Sequence, residues 1–170
     1  MNKKECLIKK LKEIQVIEER PVILTSGKTS DYYCDIKKSF ADPEVSRLIS
    51  DLIIEDSLLD GATSVAGFGL GGITLATAVS LISGKKLCLV RETQKKYGTE
   101  KQIEGYIPNV KDKVVLIDDV LTTGKSLIFA HKILKNKTRC DVISGIVVVK
   151  RENPELPFKV DSLLKIDELR

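Results

Sequence analysis

From Thr63 onward, short apolar runs alternate with stretches of helical periodicity: residues 64–66 then 73–81, 87–90, 114–117 then 126–134, and 142–149. Parallel strands need crossovers long enough to hold a helix, so this alternation predicts βαβ units around a mostly parallel sheet. The 170 residues suit one compact domain, which at this size buries roughly two-thirds of the surface its unfolded chain would expose. The expected architecture is a single α/β domain over residues 1–170, with helices on both faces of the sheet. No internal repeat, low-complexity tract or linker interrupts it.

The N-terminal part reads differently. Leu7, Leu11 and Ile14 among lysines predict a short amphipathic helix ending near Pro21. It is a single helix, and a helix-turn-helix would need a second one that residues 22–33 do not offer. Val22-Ile23-Leu24 and Tyr32-Tyr33-Cys34 are extended candidates joined hairpin-fashion across Ser26-Gly27-Lys28. Asp42 as N-cap, Pro43 in the first turn, and Val45, Leu48, Ile49, Leu52 and Ile53 on one face predict the next helix.

The net charge is only +4 with 31% charged residues, so any phosphate chemistry must come from local clusters, and bulk charge does not call for nucleic acid. Cys6, Cys34, Cys88 and Cys140 form no C-x-x-C pair and read as thiols of a reducing compartment. The N-terminus lacks an apolar signal core, and no run of about 18 apolar residues occurs. A soluble, cytoplasmic protein without membrane contact is expected.

The most informative stretch is Val114-Val115-Leu116-Ile117-Asp118-Asp119-Val120-Leu121-Thr122-Thr123-Gly124-Lys125-Ser126. A buried strand ends on two acids, and a Thr/Gly/Ser turn opens a helix. In open parallel sheets ligands bind beyond the carboxyl ends of the strands, where these residues fall. Backbone N–H groups of Thr123 to Ser126, with the Thr122, Thr123 and Ser126 hydroxyls, would cradle a phosphate. The Asp118 and Asp119 carboxylates repel anions and suit sugar hydroxyls and a hydrated cation, a polarity that matches ribose phosphate. An acidic N-cap before an ordinary helix would explain any one of these residues but not the set. Gly124-Lys125-Ser126 does not complete a P-loop, because that motif needs glycine where Asp119 stands.

Gly67-Phe68-Gly69-Leu70-Gly71-Gly72 follows a short strand, opens a helix and matches G-x-G-x-x-G; Glu92 sits where a ribose-binding acid would. A dinucleotide-binding protein is therefore an alternative, although such a turn can serve close packing alone. Two anion cradles on one small sheet fit a ligand with separated phosphates better. Arg91-Glu92-Thr93-Gln94-Lys95-Lys96-Tyr97-Gly98 enters the polar segment 92–102, which beside two cradles reads as a basic lid over a polyphosphate. His131 lies in a helical run with no acid or nucleophile motif around it and is assigned to packing or surface.

Together these motifs resemble the orotate phosphoribosyltransferase family of type I phosphoribosyltransferases, over about residues 24–152. Strand, Asp-Asp, Thr-Thr-Gly and a small or polar residue is the phosphoribosyl pyrophosphate motif of the superfamily. The orotate branch is suggested by Thr25-Ser26-Gly27, Ser30-Asp31-Tyr32-Tyr33-Cys34-Asp35, Arg91 with Lys95 and Gly98, Ile103-Glu104-Gly105, and Arg151-Glu152. The resemblance implies a phosphoribosyltransferase fold with a small hood from about residues 1–40, to which the C-terminal tail is a further candidate contributor.

By the same resemblance, Lys95, Asp118 and Asp119 are the catalytic candidates. Phosphoribosyl pyrophosphate would meet Arg91, Lys95, Lys96 and Tyr97 at its pyrophosphate, and Asp118, Asp119, Val120, Leu121, Thr122, Thr123, Gly124, Lys125 and Ser126 at its ribose phosphate. Thr122 and Arg151 would bind orotate. Mg²⁺ would be carried by the substrate near Asp118 and Asp119, with no direct protein ligand. The implied partner is a second copy in a homodimer with shared sites, Lys95 reaching into the neighbour. Glu92, Tyr97, Thr25 and Lys150 depart from the family's usual residues. A purine-type phosphoribosyltransferase and a non-catalytic phosphoribosyl pyrophosphate sensor are the alternatives within the fold.

Overall fold

The computed structural model describes residues 2–23, 27, 29–92 and 101–170. Helix α1 (Lys3–Glu13) starts in a reciprocal cap: Glu5 N donates to Asn2 Oδ1 at 2.8 Å, and Asn2 N donates to Glu5 Oε2 at 3.0 Å. It stops at Ile14, well before Pro21, because Gln15 turns left-handed at φ 56° and carries Val16 into the core. Proline is thus not what ends this helix.

The expected hairpin also resolves differently. Strand β1 (Ile17–Glu18) pairs antiparallel with β4 (Tyr33–Cys34), while β2 (Val22–Ile23) pairs with β3 (Thr29–Ser30). The two extended runs read from the sequence therefore belong to separate two-stranded ribbons. Burial sorts them: Cys34 packs in the core beside Val16, whereas Ile23 stays 79% exposed. Leu24, Ser26 and Lys28 of the anticipated hairpin lie outside the described residues. A 3₁₀ segment, Ile36–Ala41, leads to α2 (Pro43–Glu55), whose Asp42 cap accepts a hydrogen bond from Glu44 N at 2.9 Å.

The main domain runs β5 (Ser64–Phe68), α3 (Gly69–Ser83), β6 (Lys86–Val90), β7 (Ile103–Gly105), β8 (Lys113–Leu121), α4 (Lys125–Thr138), β9 (Asp141–Lys150) and β10 (Val160–Lys165). These strands form one sheet in the order β10-β9-β8-β5-β6-β7, all neighbours parallel except the antiparallel β6–β7 edge. Alternate residues serve opposite faces. Val65, Val115 and Ile117 join α1, α2 and α3 in one core, and Ala66, Val114 and Leu116 join Leu127, Ala130 and Leu134 of α4 in the other. Burying such an aliphatic side chain contributes about 1.5–3 kcal/mol, so both faces are held mainly by this apolar contact.

From β5 the chain first moves to β6 on one side and later returns to β8 on the other. This change of direction leaves a crevice between the carboxyl ends of β5 and β8. At the other end of the sheet, Asp112 accepts hydrogen bonds from Thr63 Oγ1, Tyr106 Oη and Asn109 N, each at 2.8 Å. All four cysteines are free, with Cys34, Cys88 and Cys140 buried. Among the described residues, no helix is long and apolar enough to cross a membrane.

Candidate active site

The two acids read as the end of the strand lie within it, for the strand runs on to Leu121. Pairing with β9 continues through Asp118↔Val147 and Leu121↔Lys150, so β8 carries Asp118 and Asp119 on its last turns of pleat and releases the chain only at Thr122. The carboxylates fold back on their own backbone: Asp119 N donates to Asp118 Oδ1 at 2.9 Å, and Val120 N to Asp119 Oδ1 at 3.0 Å. Burial and the adjacent Asp119 charge push the Asp118 carboxyl well above its ordinary range.

The glycine-rich turn before α3 touches the same acids. A Cβ on Gly71 would stand 2.5 Å from the Asp119 carboxylate, and one on Gly72 only 2.7 Å from Ile117 O. One on Gly67 would meet Gly72 O at 2.5 Å. Three glycines of the motif thus bring α3 against β5 and β8, whereas Gly69 adopts φ +67° with open space beside it. Close packing accounts for this turn without a dinucleotide.

Two cavities open at the crevice. The first, about 290 Å³, is bordered by Asp118 and by Val120, Leu121, Thr122, Thr123, Gly124, Lys125 and Ser126, with Glu92, Phe68 and Phe129 opposite. It surrounds the N-terminus of α4, where unpaired N–H groups and the helix dipole favour an anion. Gly124, at φ +72°, makes the turn into that helix, and a Cβ there would lie 2.6 Å from Leu156. The second cavity, about 440 Å³, is bordered by Ile23, Tyr33, Cys34, Lys37, Asp119, Val120, Thr122, Ser126 and Arg151. Val120, Thr122 and Ser126 belong to both, so an anion lobe and a larger mixed lobe share one wall.

Lys37 was not singled out in the sequence, yet it reaches Asp35 Oδ1 at 2.8 Å and Asp119 Oδ2 at 3.6 Å. Burial lowers its pKa, but the Asp35 hydrogen bond and the Asp119 charge outweigh this and raise it, keeping the ammonium charged. Burial, chiefly, with the nearby Asp119 charge, pushes the Cys34 thiol up to about 12, which makes it an inert wall rather than a nucleophile.

Arg151 enters the larger lobe from the end of β9. Its backbone N donates to Leu121 O at 2.9 Å, and its Nη2 donates to Ser30 Oγ. Arg91 borders neither cavity; it faces Glu104, Nη1 to Oε1 3.8 Å. Lys95, Lys96 and Tyr97 lie outside the described residues. His131 packs its ring 5.1 Å from that of Phe158.

A model of the phosphoribosyl transferase domain matches residues 31–168. The orotate phosphoribosyltransferase of Pyrococcus furiosus is 43% identical, over 98% of this chain and 94% of its own length. That of Methanosphaera stadtmanae is 38% identical, over 94% and 89% respectively. Among solved structures, orotate phosphoribosyltransferase from Aeropyrum pernix superposes with a TM-score of 0.82 at 27% identity, covering 96% of this chain and 95% of that one. The Mycobacterium tuberculosis enzyme bound to 5-phospho-α-D-ribosyl 1-diphosphate shares the fold, with a TM-score of 0.79 at 24% identity and 99% of both chains covered. With a crevice of this kind on a sheet of this order, and such likeness along almost its whole length, the chain belongs to the orotate phosphoribosyltransferase family of phosphoribosyltransferases.

Proposed function

We propose that the chain transfers ribose 5-phosphate from phosphoribosyl pyrophosphate to orotate, giving orotidine 5-phosphate and pyrophosphate for pyrimidine nucleotide biosynthesis. The observation that carries this reading is the pair of lobes with a common wall, one built around a helix N-terminus and the other holding Arg151. The 5-phosphate suits the Thr122–Ser126 turn, the ribose hydroxyls suit Asp118 and Asp119, and the orotate ring suits the lobe between Tyr33 and Arg151. Thr122, common to both, can contact the base as well. A guanidinium offers the orotate carboxylate two parallel charge-assisted hydrogen bonds.

In the reaction, the bond from the anomeric carbon to the pyrophosphate oxygen breaks, and a base nitrogen bonds to that carbon and gives up its proton. Positive charge gathers on the ribose and negative charge on the leaving group. Asp118 and Asp119 favour the first; Arg91 and Lys95, with Lys96 and Tyr97 beside them, favour the second. Each well-aimed group is worth about 3 kcal/mol of barrier. No covalent enzyme intermediate is needed.

The adjacent acids fit a cation, since a positive charge nearby would relieve the repulsion that raises Asp118. They suit Mg²⁺ carried on the substrate's phosphates, because this ion keeps several waters, through which the nearby carboxylates can hold it without ligating it directly. When bound, Mg²⁺ supplies charge neutralisation to the pyrophosphate.

A two-fold dimer is part of the proposal. Helix α3 exposes Leu70 (76%) and Leu81 (84%) on one face, with Leu70 in the turn beside the site. A second copy covering this face would make a dimer whose sites are shared, Lys95 of one copy serving the crevice of the other. The N-terminal ribbons, bordering the base lobe through Ile23, Tyr33 and Cys34, act as the hood, and the working compartment is the cytoplasm.

The test is pyrophosphate release from phosphoribosyl pyrophosphate with orotate, compared with adenine, guanine and hypoxanthine, with and without Mg²⁺. Turnover with orotate alone is expected. Preference for a purine, or tight donor binding without turnover on any base, would replace the reading with a purine-type enzyme or a sensor.

A further inference from the structure

Arg151, half-buried at the edge of the larger lobe, is held by contacts other than an ion pair. Among the described residues no carboxylate pairs with it. Its Nη2 instead donates to Ser30 Oγ, and its Cζ lies 4.3 Å from the centroid of the Tyr32 ring. The Ser30 hydroxyl is itself fixed, donating to Tyr32 O at 2.7 Å and accepting from Tyr32 N at 3.2 Å. A second guanidinium reaches the same ring: Arg170 Cζ is also 4.3 Å from the Tyr32 centroid, and Arg170 Nε is 3.8 Å from Glu19 Oε1. The turn carrying Arg170 is tied down in turn, with Lys4 Nζ 2.9 Å from Glu168 Oε1 and Leu169 buried.

The manner of holding matters. A counter-carboxylate would orient Arg151 but also neutralise it, so an incoming carboxylate would have to displace an existing partner. An aromatic ring and a hydroxyl orient the guanidinium and leave its full charge for the ligand. We propose that Tyr32, steadied by Arg170, is a positioning residue for base recognition, presenting an uncompensated Arg151 guanidinium to the carboxylate of the base. The role rests on the orotate reading above. Arg170 thereby contributes to base affinity without touching the base, coupling the C-terminal turn and the Glu19 segment to the choice of substrate.

The test is steady-state kinetics on variants whose folding is checked by circular dichroism and thermal melting. Tyr32→Leu, which keeps apolar bulk but removes the ring, should raise KM for orotate roughly tenfold, the scale of a desolvated cation–π contact. KM for phosphoribosyl pyrophosphate should not move, and kcat at saturating orotate should be largely kept. Tyr32→Phe, which retains the ring, should restore KM for orotate to within about twofold of wild type, and Arg170→Ala should raise it about two- to threefold. In the Arg151→Ala background, Tyr32→Leu should add nothing further.

An equal rise in both KM values, or an additive effect in the double variant, would mean that Tyr32 merely supports the fold, and the proposal fails. A wild-type enzyme that ignores orotate overturns the function and the positioning role together. One that uses orotate and is impaired by Arg151→Ala, but not by Tyr32→Leu, overturns the positioning role alone.

Discussion

Asp118 carries a cost that its proposed role would explain. Its carboxyl titrates above the ordinary value of 3.8 because burial and Asp119 disfavour its charge. The folded state therefore binds this proton more readily than the unfolded chain does. The penalty is present in full above the raised folded value and fades as pH falls through it toward 3.8. Asp118→Asn keeps the acceptor for Asp119 N and removes the charge. It should raise Tm near neutral pH, by about 2–4 °C for each kcal/mol relieved, and the gain should shrink toward pH ~4. Turnover should fall by about a hundredfold or more, and Asp118→Asn with Asp119→Asn should abolish it in a folded protein. Melts across pH beside activity assays check both; a lower Tm at every pH would show that the carboxyl is not strained. These acids and the Thr122–Ser126 turn were legible in the sequence because strand, turn and helix start are contiguous there. Lys37 was not, since only the folding of the N-terminal segment brings it to Asp119.

At the scale of elements, the parallel sheet and its helices followed from periodicity, while β7 and β10 did not. Each is an edge strand: Ile103–Gly105 has only three residues, and Val160–Lys165 mixes Asp161, Ser162 and Lys165 with its apolar positions. Edge strands are covered on fewer sides and need no clean hydrophobic pattern. The glycine-rich turn was legible as a turn but ambiguous in purpose, and the distances resolve it. Gly72→Ala would put a methyl 2.7 Å from the backbone oxygen of Ile117, which cannot swing aside as a side chain could. Overpacking of this kind costs about 1–3 kcal/mol. Thermal or urea denaturation should show that loss, and donor affinity should weaken as α3 moves off β8. Unchanged stability would mean that the approach of α3 to β8 is looser than these distances.

For the molecule as a whole, the two ends of the sheet have separate duties. Asp112 is far from the crevice, and its three hydrogen bonds join the starts of β5 and β8 to the loop between β7 and β8. Burial raises its pKa, but the hydrogen bonds from Asn109, Tyr106 and Thr63 prevail and lower it. Its stabilisation is therefore present above the unfolded value and lost as pH falls through the lower folded one. Asp112→Ala should cost about 1–3 kcal/mol of stability with kcat preserved, as paired melts and assays would reveal. Assembly makes a sharper prediction. Lys95→Ala and Asp119→Asn should each fold, dimerise and be nearly inactive. After subunit exchange about half of the dimers are mixed, each with one intact site, so activity should return to roughly a quarter of wild type. A mixture that exchanges but stays inactive would show that Lys95 serves its own subunit. Finally, Leu121 O accepts hydrogen bonds from both Arg151 N (2.9 Å) and Glu152 N (3.3 Å), and the phosphate turn begins at the very next residue. One carbonyl is thus the shared origin of the two arms that would grip a nucleotide at opposite ends. On the proposed reading the cleft would act as a caliper, sorting candidates by the span between phosphate and acid group, so that a ligand with both groups but the wrong reach would satisfy only one jaw.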